Sequence, residues 1–339
     1  MKNKIKTTII AATLTLATAL CLTGCNDTSE ADADYKVAIV KYVDDASLNQ
    51  IEDAIVAQLE AKGKELGVTF DVELYNGQAD GTILNQIAAE VVADEVDVVV
   101  PIETPAAVLM QSATEGTDIK VVFSAVTDPV GGGLVASNDA PGSNVTGVSD
   151  AIDTAAIMDL ILLQNPDIKS IGLLYDKGQA SSIASIEAAK AYCKDKGITV
   201  VEKTGTNTSE IQAAADALVA SGVEAIFTPQ DNTVMVAELS IFEKFTDAKI
   251  PHYTGADSFA LNGAFLGYGV NYVNLGTLTG DMVIDVTVNG ADPATTAVKT
   301  LDDGIIMVNT ETAETLGIDY NIFKDKCSEL KETTTKQEF

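Results

Sequence analysis

Short apolar runs alternate with amphipathic helical segments along most of this 339-residue chain. The runs are rich in valine and isoleucine, and their continuous rather than alternating hydrophobicity is typical of parallel strands buried on both faces. They lie at residues 36–43, 68–74, 96–101, 120–126, 169–175, 198–203, 225–228 and 250–254. A strand-helix alternation of this kind predicts doubly wound α/β domains.

The alternation breaks once, where a glycine-rich stretch runs from Asp128 to Asp150. We interpret this break as a crossing between two Rossmann-like lobes. Two lobes joined by several crossings leave a central cleft at the carboxyl ends of both sheets, where open α/β sheets bind ligands. The predicted division is 35–127 plus 256–300 for the first lobe, 128–255 plus 301–325 for the second, and 326–339 for a solvated tail.

The amino terminus has the features of an export signal. Lys2, Lys4 and Lys6 precede a short apolar stretch, so residues 1–24 are predicted to be a cleaved signal peptide. Leu-Thr-Gly-Cys at 22–25 resembles the bacterial lipoprotein signal, which implies that Cys25 carries a lipid and that 25–34 is a flexible tether. A transmembrane anchor is the alternative, but no second span follows. We expect a lipid-anchored protein on the extracytoplasmic face of the cell membrane.

Charge and composition exclude several classes of function. The formal charge of -29 makes nucleic acid a poor partner. All 21 basic residues are lysine, so a bound carboxylate must be held without an arginine fork. The single histidine, His252, rules out a zinc cluster of histidines, and no nucleotide-binding or nucleophile motif follows a predicted strand. We expect no cofactor, no metal and no enzyme activity.

Two cysteines remain beyond the predicted signal and lipid site. Cys193 and Cys327 could form a disulfide outside the cytoplasm, or they could stay as free thiols. One pair so distant in sequence is no disulfide framework, and the sequence leaves both possibilities open.

Five segments carry a resemblance to a known family. They are Thr-Pro-Ala-Ala at 104–107, Phe-Ser-Ala-Val-Thr-Asp-Pro-Val at 123–130, Asn-Val-Thr-Gly-Val-Ser-Asp at 144–150, Pro-Gln-Asp-Asn at 229–232 and Leu-Gly-Thr-Leu-Thr-Gly at 275–280. From about Tyr35 to Tyr320 the chain resembles the tryptophan/tyrosine ABC-transporter substrate-binding protein family. The resemblance implies a bilobed fold of the periplasmic-binding-protein type I that closes on a small molecule and delivers it to a membrane permease with a cytoplasmic ATPase. We expect a monomer.

The loops after the predicted strands hold candidate groups for an amino-acid carboxylate. Thr104, Ser124 and Thr127, with Ala125 in the same run, lie beside backbone N–H groups at helix starts. Each hydroxyl could instead cap a helix or stabilise a turn, as serine and threonine commonly do. Their convergence after neighbouring strands favours a binding role.

An enclosed ammonium group needs an ionised carboxylate beside it, because the group loses its hydration on entering the site. Asp231 is the leading candidate and Asp257 is the second. Asn232 orients Asp231 or begins the next helix. Asp128 and Asp150 lie on the predicted crossing and could instead act as caps beside the hinge.

Aromatic residues near predicted strand ends are candidates for the ligand's side-chain pocket. Tyr42, Tyr175, Tyr268 and Tyr272 could stack on a flat ligand or fill the core. The loop that contains Ser181, together with the loops at 42–47 and 256–258, departs from the family pattern at positions expected to touch the ligand side chain.

These loops leave several readings of the function open. By resemblance, the expected ligand is tyrosine, tryptophan or phenylalanine, and a branched-chain or otherwise apolar amino acid or a nucleoside is the alternative. A sensory subunit that binds the same ligand and docks on a receptor is a second class of function. A secreted enzyme that uses His252 with a nearby serine is a third.

Overall fold

The computed structural model describes residues 33–301 and 304–336. Within these residues the chain forms two α/β lobes, each built on one sheet of mostly parallel strands. The predicted export signal, the lipidation site Cys25 and most of the predicted tether lie outside the described residues. No described helix is long and apolar enough to cross a membrane.

Lobe 1 is formed by the first part of the chain and by a later return. Its strands are β1 (Tyr35–Lys41), β2 (Phe70–Asn76), β3 (Val98–Ile102), β4 (Lys120–Ser124), β5 (Val145–Ser149) and β11 (Lys299–Thr300). Its helices are α1 (Ala46–Leu66), α2 (Gly81–Ala93), α3 (Thr104–Thr114) and α10 (Tyr272–Thr287). Neighbouring strands are parallel, in the order β11-β5-β4-β3-β1-β2.

Lobe 2 contains a seven-stranded sheet. Its strands are β6 (Ser170–Tyr175), β7 (Thr199–Thr204), β8 (Ala225–Thr228), β9 (His252–Thr254), β10 (Leu266–Gly269), β12 (Ile305–Asn309) and β13 (Glu329–Thr333). Its helices are α4 (Thr154–Gln164), α5 (Ala180–Lys196), α6 (Thr208–Ser221), α7 (Asn232–Ala237), α8 (Phe242–Asp247), α9 (Ser258–Leu261) and α11 (Thr310–Leu316), with 3-10 turns at Glu238–Ser240 and Tyr320–Lys326. The order is β13-β12-β10-β9-β8-β6-β7, and only β10 and β12 pair antiparallel among these strands.

Alternate residues of the central strands pack into cores on opposite faces of each sheet. In β1, Val37 and Ile39 belong to the core formed with α1 and α10, whereas Ala38 and Val40 belong to the core formed with α2 and α3. Both faces of the sheet are therefore covered by helices, which explains why the strand sequences are apolar throughout. The predicted doubly wound α/β architecture is confirmed.

The structure moves several of the predicted lobe boundaries. The glycine-rich stretch 128–144 stays in lobe 1, because β5 pairs with β4 and the chain crosses only after Ser149. Residues 258–269 belong to lobe 2, because β10 pairs with β9 and β12. Part of the predicted solvated tail is strand β13, which pairs with β12. Further crossings follow β10 and β11.

A glycine fixes the close approach of β5 to β4. A Cβ atom on Gly147 would lie 2.2 Å from the carbonyl oxygen of Phe123 and 2.5 Å from its ring. No other residue has room at this position, so the strand pairing depends on Gly147. The same pairing positions the loop after β4, which carries Ala125 and Thr127.

Both cysteines beyond the predicted lipid site are free thiols in the structure. Cys193 lies in the core of lobe 2, and Cys327 packs at the edge of the same core. Burial raises the pKa of the Cys193 thiol to about 11, so this side chain behaves as a small apolar group.

Candidate functional site

A cavity lies between the lobes at the carboxyl ends of both sheets. Lobe 1 and its first crossing contribute Asp45, Ser47, Leu48, Glu103, Thr104, Ala125, Thr127, Asp150 and Tyr272. Lobe 2 contributes Ser181, Gln230, Asp231, Asn232, Met235, Ala256, Ser258 and Phe259. Most of these residues follow a strand or begin a helix, as ligand-binding residues of open α/β sheets do.

One part of the cavity wall is acidic. Asp45, Glu103, Asp150 and Asp231 line it, and no lysine or histidine of the described chain does. Asp45 Oδ2 and Glu103 Oε2 are buried without a hydrogen-bond partner among the described residues. Because an unpaired buried carboxylate oxygen is costly, these atoms point to a ligand that supplies the missing donor. The acidic wall suits a cation such as an ammonium group.

Burial makes these carboxyl groups harder to ionise. Desolvation raises the pKa of Asp150 and of Asp231 to about 6. Desolvation, and then the charges of Asp45 and Asp150, raise the pKa of Glu103 well above its usual value. Desolvation also raises the pKa of Asp45. A positive charge that entered the cavity would stabilise the ionised form of each group.

Hydroxyl groups without partners border the same cavity. Thr104 Oγ1 and Ser181 Oγ are buried and make no hydrogen bond within the described chain. Thr104 is the first residue of α3 and Ser181 is the second residue of α5, and neither helix has a side-chain cap. The N–H groups of Thr104 and Ala106 in α3 and of Ala180 and Ser181 in α5 are therefore also available as donors, whereas Pro105 has none and the Ser182 N–H donates to the Gln179 carbonyl. Donors from both lobes can bind a carboxylate in a site that lacks arginine.

Two lining residues adopt backbone conformations that favour glycine. Glu103 has a φ of 82° and Ala125 has a φ of 53°. They follow the neighbouring strands β3 and β4, and the Glu103 N–H donates to the carbonyl of Ser124 at 3.0 Å. Strained residues persist where the surrounding structure holds them, and they cluster at functional sites.

The remaining wall is apolar and aromatic. Leu48, Met235, Phe259 and Tyr272 line it. Phe259 and Tyr272 are almost completely buried, at 1% and 4% exposed. Desolvation raises the pKa of the Tyr272 hydroxyl well above its usual value, so this ring stays neutral. A large apolar or aromatic side chain of a ligand can pack against these rings.

The structure brings together six of the predicted site residues at the cavity, namely Thr104, Ala125, Thr127, Ser181, Asp231 and Asn232. Ser124 does not line it, because its Oγ is hydrogen-bonded to Thr279 Oγ1 of α10 at 2.8 Å. Tyr42 does not line it either, and its hydroxyl donates to the carbonyl of Ala79 at 3.4 Å. Of the other candidate tyrosines, Tyr272 is the one that reaches the cavity wall.

Asp257 lies behind the wall rather than in it. Its Oδ1 accepts a hydrogen bond from Ser47 Oγ at 2.6 Å. Ser47 belongs to lobe 1 and Asp257 to lobe 2, and each is 2% exposed. Burial raises the pKa of Asp257 to about 6. The contact joins the two lobes, a role that differs from the predicted pairing with an ammonium group.

Asp231 lines the cavity, but both of its carboxyl oxygens accept hydrogen bonds from the protein. Oδ1 accepts from the Val234 N–H at 3.0 Å, and Oδ2 accepts from the Asp176 N–H and from Ser182 Oγ, both at 2.7 Å. Asp231 is the N-cap of α7, and Asn232 begins that helix. These contacts favour a structural cap over the predicted role as ammonium partner.

Asp150 connects the lobes at the first crossing. Its Oδ1 accepts from Thr127 Oγ1 at 3.1 Å, and its Oδ2 accepts from Gln230 Nε2 at 2.7 Å. The Asp150 carboxyl group therefore joins a loop of lobe 1 to a loop of lobe 2. This contact agrees with the alternative prediction that Asp150 has a structural role beside the hinge. Asp128 does not line the cavity, and its Oδ1 accepts from the Gly131 N–H at 2.8 Å.

Sequence reasoning did not name Glu103 or Gln230 as site residues, and it reached Asp45 and Ser47 only through the loop 42–47 as a whole. Glu103 follows a buried apolar run directly, so the rule that ligands bind at the carboxyl ends of strands could have found it. Asp45 and Ser47 open the helix after β1 and could have been found in the same way. Nothing in the sequence singles out Phe259, because α9 is too short to show a helical period.

His252 lies away from the cavity in the core of lobe 2. Its Nδ1 is 2.9 Å from Glu238 Oε1 and its Nε2 is 2.8 Å from Thr228 Oγ1. It is 2% exposed, and no serine among the described residues bonds to it. The arrangement is that of a structural histidine. In the described part of the chain, no group of three or more histidine, cysteine, aspartate or glutamate side chains could hold a metal ion.

The sequence model of one protein family, described as ABC transporter substrate binding protein, matches residues 36–325. The chain belongs to this family. The predicted family is thus confirmed, and the protein is an extracytoplasmic substrate-binding component of an ABC transporter rather than an enzyme. The chain is also 31% identical over 325 residues to the tyrosine-binding protein of Clostridioides difficile (strain R20291), across 93% of this chain and 92% of that protein.

Solved structures of relatives include ligand-bound and ligand-free forms. A Streptococcus pneumonia domain in complex with L-Trp is 30% identical and covers 88% of this chain and 100% of its own, with a TM-score of 0.80. The ligand-free, open structure of a Clostridium difficile substrate-binding protein is also 30% identical, over 89% and 100%, but its TM-score is 0.69. Over the whole chain, this ABC transporter substrate-binding protein is therefore more similar in structure to the L-Trp complex than to the open form. Its periplasmic-binding-protein type I fold is as predicted.

Proposed function

We propose that this substrate-binding protein binds an aromatic amino acid between its lobes and delivers it to a membrane permease. The observation that supports this proposal is that one cavity between the lobes combines unpartnered carboxyl oxygens, unpartnered hydroxyls and an aromatic wall. A zwitterion needs a negative partner for its ammonium group and donors for its carboxylate. The cavity offers both kinds of group without arginine.

In the proposed complex, the carboxylate accepts hydrogen bonds from Thr104, Ser181 and the first N–H groups of α3 and α5. The ammonium group faces the acidic wall, and the ring packs against Phe259 and Tyr272. These groups belong to both lobes. The ligand therefore stabilises the closed arrangement by its higher affinity for that state.

The relatives favour an aromatic ligand. One is named a tyrosine-binding protein, and another was solved with L-Trp. In this chain the loops at 42–47, 178–182 and 256–258 contribute Asp45, Ser47, Ser181, Ala256 and Ser258 to the cavity wall. We infer that these loops select among aromatic amino acids. A branched-chain amino acid or a nucleoside is the alternative that must be tested against the same cavity.

We also propose that the protein works while anchored to the membrane as a monomer. Cys25 would carry the lipid, and the nine residues at 26–34 span at most roughly 30 Å when extended. The lobes then stay near the permease and its cytoplasmic ATPase but remain free to turn. Replacing Cys25→Ala should move the protein from the membrane fraction to the soluble fraction, and an unchanged distribution would contradict the lipid anchor.

Calorimetric titration tests the ligand assignment. The protein from residue 31 onward, refolded to remove carried ligand, is titrated with tyrosine, tryptophan, phenylalanine, leucine and a nucleoside. We expect tight binding of at least one aromatic amino acid and no binding of leucine or the nucleoside. Binding of leucine or the nucleoside alone would replace the aromatic assignment, and no binding of any of the five would overturn it.

Two analogues test the zwitterion contacts. Tyramine lacks the carboxylate and 3-(4-hydroxyphenyl)propionate lacks the ammonium group. Each should bind about 100-fold more weakly than tyrosine, because tyramine leaves the buried hydroxyl and N–H donors without an acceptor and 3-(4-hydroxyphenyl)propionate leaves the acidic wall without a cation. Uptake of labelled ligand by cells with and without the gene then separates transport from a sensory role.

A further inference from the structure

Glu103 is the lining carboxyl group that the protein leaves without hydrogen bonds. Asp45, Asp150 and Asp231 each accept at least one hydrogen bond from the described chain. No described donor bonds the carboxyl group of Glu103, and its Oε2 is buried without a partner. The residue is 8% exposed and borders the cavity. A buried carboxyl group with this surplus acceptor capacity is unfavourable unless a ligand uses it.

The backbone around Glu103 supports a functional role. Its φ of 82° favours glycine, and it is the residue just before the uncapped start of α3. A side chain kept at such a position, where it neither caps the helix nor bonds to the protein, is maintained at a cost in backbone strain. The backbone strain and the missing hydrogen bonds therefore both indicate that Glu103 has a role in ligand binding.

The charged groups around Glu103 are acidic. Asp45 at the start of α1 and Asp150 at the crossing both disfavour its ionisation, and the Tyr42 hydroxyl after β1 faces it as a neutral group. The nearby Lys41 at the end of β1 is engaged elsewhere: it pairs with Asp44 at 2.9 Å and Glu52 at 3.3 Å. No lysine of the described chain is close enough to lower the pKa of Glu103.

We propose that Glu103 binds the ligand's ammonium group, and that the empty cavity keeps a proton on Glu103 which the ligand displaces. On binding, the O–H bond of the Glu103 carboxyl group breaks, the proton passes to the solvent, and the ammonium N–H groups take its place. This inference rests on the proposed function, because it requires a ligand with an ammonium group.

The exchange makes affinity depend on pH. Burial and the two neighbouring aspartates raise the pKa of Glu103 in the empty protein, and the ammonium charge lowers it again in the complex. Between these two values the complex holds one proton fewer than the empty protein. Through Glu103 alone, affinity should therefore fall by up to tenfold for each unit by which the pH decreases in this range, with up to one proton released from this residue per ligand.

The test is calorimetry at several values between pH 5.5 and 8, each in two buffers of different ionisation enthalpy, with the aromatic amino acid that binds. We expect proton release that grows as the pH decreases. Glu103→Gln should bind at least tenfold more weakly at pH 8 and release fewer protons than the wild type at every pH, with the remaining release near pH 6 coming from Asp150 and Asp231. Glu202→Gln is the matched control, because Glu202 bonds Tyr175 and Lys190 away from the cavity, and it should retain both the affinity and the release.

The outcomes separate this inference from the proposed function. Wild-type binding without proton release at any of these pH values, or Glu103→Gln binding within threefold of wild type, would overturn the role of Glu103 and leave the proposed function intact. Undiminished proton release by Glu103→Gln would also overturn it. Failure of the wild type to bind any amino acid would overturn both. Glu103→Asp keeps a titratable group and should retain part of the release.

Discussion

Ser47 Oγ donates a 2.6 Å hydrogen bond to Asp257 Oδ1 across the cleft. Ser47 is the second residue of α1 in lobe 1, and Asp257 immediately precedes α9 in lobe 2. Both side chains are buried, so water does not compete for the bond. The lobes cannot separate without breaking it. In the proposed binding mechanism, this pair couples closure of the cleft to the cavity that Ser47 also lines.

Removal of this bond should weaken ligand binding. Ser47→Ala leaves Asp257 with a buried acceptor that lacks its donor, which destabilises the closed arrangement. We expect affinity to fall about tenfold, since a hydrogen bond to a charged group contributes about 1.5–3 kcal/mol. Titration calorimetry measures the effect. Ser240→Ala is the control, because Ser240 Oγ bonds the Ala237 carbonyl away from the cleft. Equal affinities for the two variants would contradict the coupling.

The unliganded protein should be more stable near pH 5 than near pH 7.5. Asp150, Asp231 and Asp257 each have a pKa of about 6 in the folded protein, against 3.8 for an unperturbed aspartate. The folded state therefore binds more protons than the unfolded state between about pH 4 and 6. Stability from these groups is present below this range and is lost as the pH rises through it.

Scanning calorimetry across this pH range tests the expectation. The Tm should decrease by several degrees between pH 5 and 7.5. Asp150→Asn should reduce the decrease, whereas Asp195→Asn removes an equal charge at an exposed position and should not. A Tm that rises steadily from pH 5 to 7.5 would show that these aspartates do not control the pH dependence.

Gly147→Ala should disrupt lobe 1. The new Cβ would meet the Phe123 carbonyl oxygen at 2.2 Å, and neither backbone can move without breaking the β4–β5 pairing. We expect the free energy of unfolding to fall by about 3 kcal/mol, the upper part of the range for overpacking. Urea denaturation measures it. Gly81→Ala, where a Cβ meets nothing within 4 Å, is the control and should leave stability nearly unchanged.

Asp231→Ala should destabilise the fold more than it weakens binding. The substitution removes the acceptor for three protein donors, and we expect the free energy of unfolding to fall by about 2 kcal/mol. Asp153→Ala removes the cap of α4, outside the cavity wall, and is the control for cap loss. Ligand affinity is measured under conditions in which both variants are fully folded. If Asp231→Ala then lost as much affinity as Glu103→Gln, Asp231 would have to be an ammonium partner.

The fold was predictable where strands are apolar over their whole length, as in the runs that became β1, β3 and β4. The fold was not predictable where only the pairing between strands decides which lobe a segment belongs to. Strand β10 is only Leu266–Gly269, with two glycines, and it joins lobe 2 through contacts with β9 and β12. Strand β5 is separated from β4 by a glycine-rich stretch, so the sequence does not show that the two strands are neighbours in one sheet. Such pairings are long-range and leave no local pattern.

Positions in the site were more predictable than roles. Thr104 and Asp231 were found because each follows a strand, and the topology of parallel sheets brings such residues to one edge. Ser181 was found through the family resemblance of its loop. Whether a carboxyl oxygen is free depends on donors from distant segments. The Asp231 carboxyl group accepts hydrogen bonds from the Asp176 N–H and from Ser182 Oγ, whereas the Glu103 carboxyl group accepts none from the described chain. A single sequence does not show these pairings.

Helix α10 comes late in the sequence but is needed to complete the core of lobe 1. Leu275, Met282 and Val283 of this helix complete the core around Val37 and Ile39 of β1. More than two hundred residues separate the two elements in sequence. Lobe 1 therefore cannot finish its core until nearly the whole polypeptide has been made. If residues 1–24 are the predicted export signal, this delay keeps lobe 1 unfolded while the chain crosses the membrane.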